Sequence, residues 1–136
     1  MNVEEKLNEL RKWKNAFAHL ATTGGDCSPQ TSPVWFDVDD GYILINTAVG
    51  RVKDINMQDH SKVAISITNP DNPYSYIGIK GEVIERIVEN SNPNDEVTRN
   101  INKLAKKYLG KDEYPFRQPG EVRVMYKIKP LAVSGN

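Results

Sequence analysis

The residues with the clearest chemical potential follow a predicted strand, Tyr42 to Thr47, and open a predicted short helix. Gly50 stands at the turn between them, with Arg51 and Lys53 directly after it. A glycine there lets a ligand approach the backbone, and the first N–H groups of a helix have no partner within it. The helix dipole disfavours each cation by about 0.3 to 1 kcal/mol, unless a phosphate binds between them. The turn is therefore a candidate phosphate site; the alternative is that Arg51 and Lys53 are solvated helix-surface residues.

Composition restricts the classes of function open to this chain. Its 136 residues predict one domain, residues 1–136, with a single core. Basic and acidic residues number 18 each, so no overall charge favours nucleic acid or an anionic membrane. The single cysteine, Cys27, lies in a predicted turn, which excludes an internal disulfide and fits a reducing cytoplasm. No signal-like or membrane-spanning apolar run is present, so we expect a soluble, intracellular protein.

The N-terminal part predicts one helix and two strands. Apolar residues three and four positions apart indicate an amphipathic helix from Val3 to about Asn15. A short strand from Phe17 to Thr22 and a longer one from Gln30 to Asp39 are separated by a glycine-rich turn. Pro33 interrupts the longer strand and cannot donate a backbone hydrogen bond, so this part is predicted to be an edge or a bulge.

Three further strands are predicted after the short helix. The longest carries Gly78 and Gly81, where we expect a bend or bulge, and it places Ile77 and Ile87 on one face. These strands run from Val63 to Thr68, from about Tyr76 to Ile87, and from Val122 to Ile128.

A second long helix is predicted to begin at Asn92, with this residue as N-cap and Pro93 at the first helical position, and to end at Gly110. Together the segments give six antiparallel strands, with two hairpins, and helices inserted between the later strands. This order predicts a mainly β (α+β) fold, a small β-barrel with peripheral helices.

A second group of polar residues is predicted to lie near the phosphate turn. Gln30, Thr31 and Ser32 precede Pro33, and a hairpin at Asp40-Gly41 is expected to bring this strand beside the end of the next, Asn46-Thr47. A flat heterocycle with a phosphate tail would fit such a surface. The alternative is that Gln30 to Ser32 are the exposed face of an edge strand.

Other site chemistries have little support in the sequence. His19 and His60 stand apart, without the clustered cysteine or histidine residues that bind metals, so we expect no metal site. The serines lie in ordinary strand and turn contexts, so hydrolysis by a Ser-His-Asp arrangement is not predicted. The catalytic side chain, if there is one, is not identified by the sequence.

These segments together resemble the pyridoxamine 5′-phosphate oxidase-like, FMN-binding split-barrel proteins, and most closely the branch that uses the deazaflavin coenzyme F420. The matching segments occur in family order and extend over nearly the whole chain. They are Phe17-Ala18-His19-Leu20-Ala21-Thr22, Gln30-Thr31-Ser32-Pro33-Val34-Trp35, Asn46-Thr47, Gly50-Arg51-Val52-Lys53-Asp54-Ile55-Asn56, Asp71-Asn72-Pro73-Tyr74-Ser75-Tyr76, and Tyr108-Leu109-Gly110 with Tyr114-Pro115-Phe116.

The resemblance implies a six-stranded split barrel that forms a homodimer, with two cofactor sites between the subunits. Arg51 and Lys53, after Gly50, would hold the cofactor phosphate, with Asn56 assisting. The remaining implied contacts are Gln30, Thr31, Ser32 and Pro33 along the ring, Asn46 and Thr47 at its polar edge or ribityl chain, and Pro73, Tyr74, Ser75 and Tyr76 from the partner subunit. Dimerisation is expected to bury apolar side chains such as Trp35 and Ile79.

The function implied is that of an oxidoreductase transferring a hydride between reduced F420 and a small, conjugated acceptor. The cofactor carries the hydride, and the protein supplies position and electrostatics. An FMN-dependent oxidase or reductase is the alternative within this fold, and a flavin- or deazaflavin-binding or storage protein without turnover is the alternative from another class. Oxidation of pyridoxamine 5′-phosphate is disfavoured, because the end of the chain, Lys127 to Val133, lacks an arginine and histidine pair for that substrate.

Overall fold

The strands form one antiparallel sheet that curls into a half-barrel, with three helices around it. The computed structural model describes residues 2–90 and 92–135. Within these ranges the sheet has seven strands rather than the predicted six. The elements are α1 (Val3–Lys12), β1 (Ala18–Thr23), β2 (Pro29–Val34), β3 (Asp37–Asp39), β4 (Tyr42–Ala48), α2 (Val52–Asp59), β5 (Lys62–Thr68), β6 (Tyr76–Val88), α3 (Glu96–Leu109) and β7 (Arg123–Gly135).

The extra strand arises because the predicted strand from Gln30 to Asp39 is broken at Trp35 and Phe36. Its first part, β2, pairs with β1, and its second part, β3, pairs with β4. The strand order is β2-β1-β5-β6-β7-β4-β3, so the two parts lie at opposite edges of the sheet. Pro33 lies in an edge strand, as predicted. The expectation that the hairpin places Gln30 to Ser32 beside Asn46-Thr47 is wrong, because β3 pairs with β4 and β2 does not.

The concave side of the sheet holds the main hydrophobic core. Alternate residues of β1, β4, β5, β6 and β7 point into it, and α1 closes one end with Leu7 and Leu10. Ile79 is already 2% exposed in the single chain and belongs to this core, so the expectation that dimerisation buries it is wrong. No helix in the described ranges is long and apolar enough to cross a membrane.

Two register shifts interrupt the pairing of β6 with β7. At the first, Lys80 pairs with Ala132 and Gly81 with Pro130, so the extra residue, Leu131, lies in β7, beside one of the two glycines where a bend or bulge was predicted. The second, between Val83 and Glu85, inserts a residue and reverses the side-chain alternation. Ile87 therefore packs in a second cluster, with Leu44, Val97 and Met125, and not on the face of Ile77 as predicted.

The helix α3 packs over β4 and β7 and begins later than predicted. Its first residue is Glu96, and the Asp95 side chain accepts a hydrogen bond from the N–H of Thr98 as N-cap. Asn92 instead accepts from the N–H of Asn94 in the turn that precedes the helix, so the prediction of Asn92 as N-cap is wrong. The predicted end at Gly110 is confirmed, with a φ of 71° at this residue.

Candidate functional site

A cavity of about 230 Å³ lies where the β2–β3 break, the end of β4 and the start of α2 meet the loop before β7. Five of the residues predicted for the site line it, together with aromatic side chains and an arginine from β7. The lining residues are Phe17, Pro33, Val34, Trp35, Asn46, Thr47, Arg51, Lys53, Ile101, Tyr114, Phe116 and Arg123.

The phosphate turn has the backbone that the sequence predicts. Gly50 has a φ of 92°, a conformation that other residues adopt only with strain. Its N–H donates to Oδ2 of Asp54 at 2.9 Å. The helix α2 begins at Val52, and the Arg51 side chain at the N-cap makes no capping hydrogen bond. The start of α2 therefore presents N–H groups that Arg51 does not cap, beside two cationic side chains.

Asp54 anchors this turn to the barrel. Its side chain is 1% exposed and accepts hydrogen bonds from Arg86 Nε at 3.1 Å and Nη2 at 3.3 Å, and from the Tyr126 hydroxyl. Burial raises the pKa of this carboxyl, but the hydrogen bonds from Arg86, Tyr126 and the Gly50 N–H lower it by more. The net pKa therefore lies below its usual range. Asp54 is thus a buried carboxylate that fixes the Gly50 turn.

Three cationic side chains, Arg51, Lys53 and Arg123, line the cavity. Burial lowers the pKa of Lys53, and the positive charges of Arg51 and Arg123 lower it further. Burial also lowers the pKa of Arg123, with a further contribution from Arg51, against the raising effects of Tyr114 and Glu121. The cations therefore repel one another, and a bound anion would convert this repulsion into attraction.

Sequence reasoning missed Arg123, which alternates with the apolar residues of the last strand in the same way as Lys127 and Lys129. Its Nε donates to Oδ1 of Asn46 at 3.0 Å, and Asn46 Nδ2 donates to Val97 O at 3.1 Å and to Asn100 Oδ1 at 2.9 Å. Asn46 therefore positions Arg123 with its side chain. Asn46 could have indicated this arrangement from the sequence, because a polar residue near the end of an apolar strand needs a buried hydrogen-bond partner.

Two buried hydroxyls predicted for the site have no hydrogen-bond partner among the described residues: Thr47 Oγ1 and Ser32 Oγ. Thr47 is 2% exposed and lines the cavity. An unsatisfied buried hydroxyl costs about 1 to 3 kcal/mol, which a polar ligand atom can recover. The cations and the Thr47 hydroxyl together fit a ligand with a phosphate and further polar atoms.

The other predicted site residues lie outside the cavity lining. Gln30 and Asn56 both hydrogen bond to Thr22 Oγ1, at 3.2 and 3.0 Å, so the Asn56 amide is directed toward β1. Thr31 is exposed on the opposite face of β2 from Ser32. The predicted partner-subunit residues Pro73, Tyr74, Ser75 and Tyr76 lie at the start of β6 and in the loop before it, where Tyr74 is 86% exposed.

Aromatic side chains form one wall of the cavity. The Trp35 ring stacks on that of Tyr108 at 5.1 Å between centroids, and the Phe17 ring stacks on Tyr108 at 5.4 Å. The edge of Tyr114 meets Trp35 at 6.0 Å, and the Arg123 guanidinium lies 4.9 Å from the Tyr114 centroid. The cavity thus has an apolar, aromatic side and a cationic side. Its volume is below the 300 to 1,000 Å³ typical of ligand pockets.

Comparisons with known proteins agree with this architecture. Among solved structures, an F420 reductase is 28% identical to this chain with a TM-score of 0.73, and the match covers 90% of this chain and 91% of that one. A putative pyridoxamine 5′-phosphate oxidase from Listeria innocua has 17% identity and a TM-score of 0.67, over 98% and 96% of the chains. A heme storage protein from Vibrio cholerae has 11% identity and a TM-score of 0.67, over 99% and 95%. The last two similarities concern the fold.

A search of curated protein sequences gives no match. The model of one sequence family, described as pyridoxamine 5′-phosphate oxidase, matches residues 3–135. This match extends over nearly the whole chain, including every strand, the phosphate turn and the cavity. The chain therefore belongs to the pyridoxamine 5′-phosphate oxidase family.

Proposed function

We propose that the chain is an oxidoreductase that transfers a hydride between reduced coenzyme F420 and a small, conjugated acceptor. The observation that carries the proposal is the cavity in which Arg51, Lys53 and Arg123 meet beside the unpartnered hydroxyl of Thr47. The identity of 28% to an F420 reductase, over 90% of the chain, supports a deazaflavin as the cofactor.

In this proposal the protein binds and orients the cofactor. Arg51, Lys53 and Arg123 hold the phosphate, and Thr47 hydrogen bonds to a polar atom of the ring edge or ribityl chain. Pro33 and Trp35 provide apolar surface for the ring. When bound, F420 would supply the hydride chemistry, so no protein nucleophile is required. The residues that line the cavity include no carboxylate or imidazole, which agrees with this division of roles.

An FMN-dependent oxidase or reductase is the alternative supported by the same cations, since a phosphomonoester would also bind between them. A binding or storage protein without turnover is supported by the absence of acid or base side chains from the described cavity lining. The three functions differ in which cofactor binds and in whether the bound cofactor reacts with an acceptor.

Absorbance spectra of the purified protein and titrations with F420 and with FMN test the proposal. We expect saturable F420 binding and oxidation of bound, reduced F420 by at least one conjugated acceptor. Tight FMN binding with no response to F420 would overturn the choice of cofactor. Binding of F420 without turnover across an acceptor screen would favour the storage function.

A further inference from the structure

A carboxylate lies among the cations of the proposed phosphate site. The Glu121 side chain is 7% exposed, and its Oε2 lies 3.2 Å from Nη1 of Arg123. Its Oε1 lies 3.6 Å from Nη2 of Arg51. Both arginines line the cavity, and Glu121 contacts them without lining it. Glu121 therefore lies close enough to the site to influence the charge of a bound anion.

The backbone holds Glu121 in this position. Its N–H donates to Gln118 O at 3.0 Å, and its carbonyl accepts from Arg117 Nη1 at 3.2 Å. Arg117 is itself held by Glu89, through Nη2 to Oε2 at 2.9 Å. The backbone of Glu121 is thus fixed, and its side chain cannot leave the site without breaking its contacts with Arg123 and Arg51.

The charge balance of the site follows from these residues. Three cations and one carboxylate leave two positive charges uncompensated. A phosphomonoester carries close to two negative charges above pH 7, whereas a phosphodiester carries one. The carboxylate repels both ligands, and it repels the doubly charged one more. At a separation of about 8 Å, this repulsion changes affinity by roughly threefold to thirtyfold per ligand charge.

We propose that Glu121 is a specificity-determining residue that biases the site toward a phosphodiester over a phosphomonoester. The inference rests on the proposed function, because F420 contains a phosphodiester and FMN a phosphomonoester. An amide in place of the carboxylate would keep a hydrogen-bond acceptor for Arg123 and remove the charge. Glu121 acts through the arginines and the field of the site, without touching the reacting atoms.

The test uses two simple probes, so that it does not depend on F420 binding. Phenyl phosphate is a monoester and methyl phenyl phosphate is a diester, and their affinities are measured at pH 8 by NMR titration. Wild type is compared with Glu121→Gln and with a matched control, Glu82→Gln. Glu82 pairs with Lys62 across neighbouring strands and does not line the cavity. Both variants make the same change in net charge.

We expect Glu121→Gln to strengthen phenyl phosphate binding roughly threefold to thirtyfold more than methyl phenyl phosphate binding, and Glu82→Gln to change neither. Equal changes for the two probes, or weaker binding of both, would mean that Glu121 only positions the arginines and would overturn the inference. Glu121→Asp is a second test that keeps the charge. If Glu121→Asp keeps the wild-type ratio of affinities for the two probes, the charge is the cause of the preference. A changed ratio contradicts this.

Failure of the inference is distinguishable from failure of the proposed function. If the probes behave as expected but F420 does not bind, the charge role of Glu121 stands and the choice of cofactor is wrong. If F420 binds and Glu121→Gln leaves the probe preference unchanged, the choice of cofactor stands and the charge role of Glu121 is wrong. If neither probe binds the wild type at accessible concentrations, the charge role of Glu121 is overturned, and the titration with F420 decides the proposed function separately.

Discussion

Lys53 carries a positive charge where the folded chain disfavours it. Burial and the charges of Arg51 and Arg123 both lower its pKa, and its position at the start of α2 places it against the helix dipole. Such an arrangement destabilises the ligand-free protein slightly and strengthens binding of an anion. Removal of a residue that serves only packing would instead lower the stability of the fold and leave anion binding unchanged.

Replacing Lys53 with alanine should therefore weaken binding without weakening the fold. Loss of one charge-assisted hydrogen bond, about 1.5 to 3 kcal/mol, lowers affinity for a phosphate-bearing cofactor about tenfold to a hundredfold. The melting temperature of the ligand-free variant should equal or slightly exceed that of wild type. Cofactor titrations and thermal melts measure both effects.

Lys62→Ala is the matched control for this substitution, because Lys62 is 69% exposed and pairs with Glu82 away from the cavity. It should change neither affinity nor stability appreciably. Unchanged affinity in Lys53→Ala would mean that the phosphate binds elsewhere. Lost affinity with a collapsed melt would mean that Lys53 is structural.

Asp54 is expected to act on stability instead of binding, since its carboxylate is buried in contact with Arg86 and does not line the cavity. Replacing Asp54 with asparagine leaves the Arg86 guanidinium without its carboxylate. Because Arg86 is 27% exposed and Asp54 1%, we expect a loss of about 2 to 4 kcal/mol in the free energy of unfolding, measured by urea denaturation at pH 7. Asp37→Asn is the control, because its partner Lys103 is 66% exposed; it should cost at most about 1 kcal/mol.

The difference between wild type and Asp54→Asn should depend on pH. The folded-state pKa of Asp54 is lowered, so its stabilisation is complete above the unfolded pKa of about 3.9 and is lost as pH falls through the folded value. The two proteins should therefore converge in stability below about pH 4. A constant difference down to pH 2 would show that the ionised carboxylate is not the source of the stabilisation.

Among the elements, α3 is joined by Tyr108 to the segments that precede β1 and β3. The Tyr108 hydroxyl donates to Ala16 O, before β1, at 2.6 Å, and accepts from the N–H of Phe36, before β3, at 3.4 Å. Its ring supports the Trp35 wall of the cavity. One side chain thus links the helix, the β2–β3 break and the site.

Tyr108→Phe should keep the ring stack and remove these hydrogen bonds, at a cost of about 1 to 3 kcal/mol in the free energy of unfolding. Burial raises the pKa of Tyr108 to about 12, so the contribution of the neutral phenol is present below the unfolded pKa of about 10 and lost as pH rises toward 12. Urea denaturation should show wild type and Tyr108→Phe converging over this range. A difference that persisted at pH 12 would contradict the hydrogen-bond account.

Local patterns in the sequence were sufficient for much of the fold and for the phosphate turn. Gly50 with Arg51 and Lys53, the alternation of β5 and the end of α3 at Gly110 all depend on residues close in the chain. The β6 register shift between Val83 and Glu85 could not be predicted, because it depends on how β6 pairs with β7.

That register shift also decides the surroundings of the site. It places Arg86 opposite Tyr126 and within reach of Asp54, which is 32 residues away in sequence. Arg123 joins the cavity through Asn46, 77 residues away, by the pairing of β4 with β7. Neither Arg86 nor Arg123 was among the residues predicted for the site, although both occur in predicted strands or at their ends. Their roles emerge only from tertiary pairing.

At the scale of the whole molecule, the cavity of about 230 Å³ is smaller than a typical ligand pocket. Exposed apolar side chains border it, including Phe17 at 46% and Phe116 at 56% exposure. The Tyr74 ring, 86% exposed, has little contact within its own subunit. We propose a homodimer with two equivalent sites, in which Tyr74 of each subunit completes the cavity of the other. Light scattering should then give twice the chain mass of 15.4 kDa, and a stable monomer at micromolar concentration would contradict the proposal.

Mixed dimers test whether each site combines two subunits. Lys53→Ala and Tyr74→Ala should each weaken cofactor binding at every site of their own dimers. If Lys53 of one subunit and Tyr74 of the other share a site, a mixed dimer has one site with both defects and one with neither. Unfolding and refolding an equimolar mixture should then restore wild-type affinity at about a quarter of all sites, because half of the dimers are mixed. If both residues serve the site of their own subunit, every site keeps one defect, and a cofactor titration of the refolded mixture would show no high-affinity fraction.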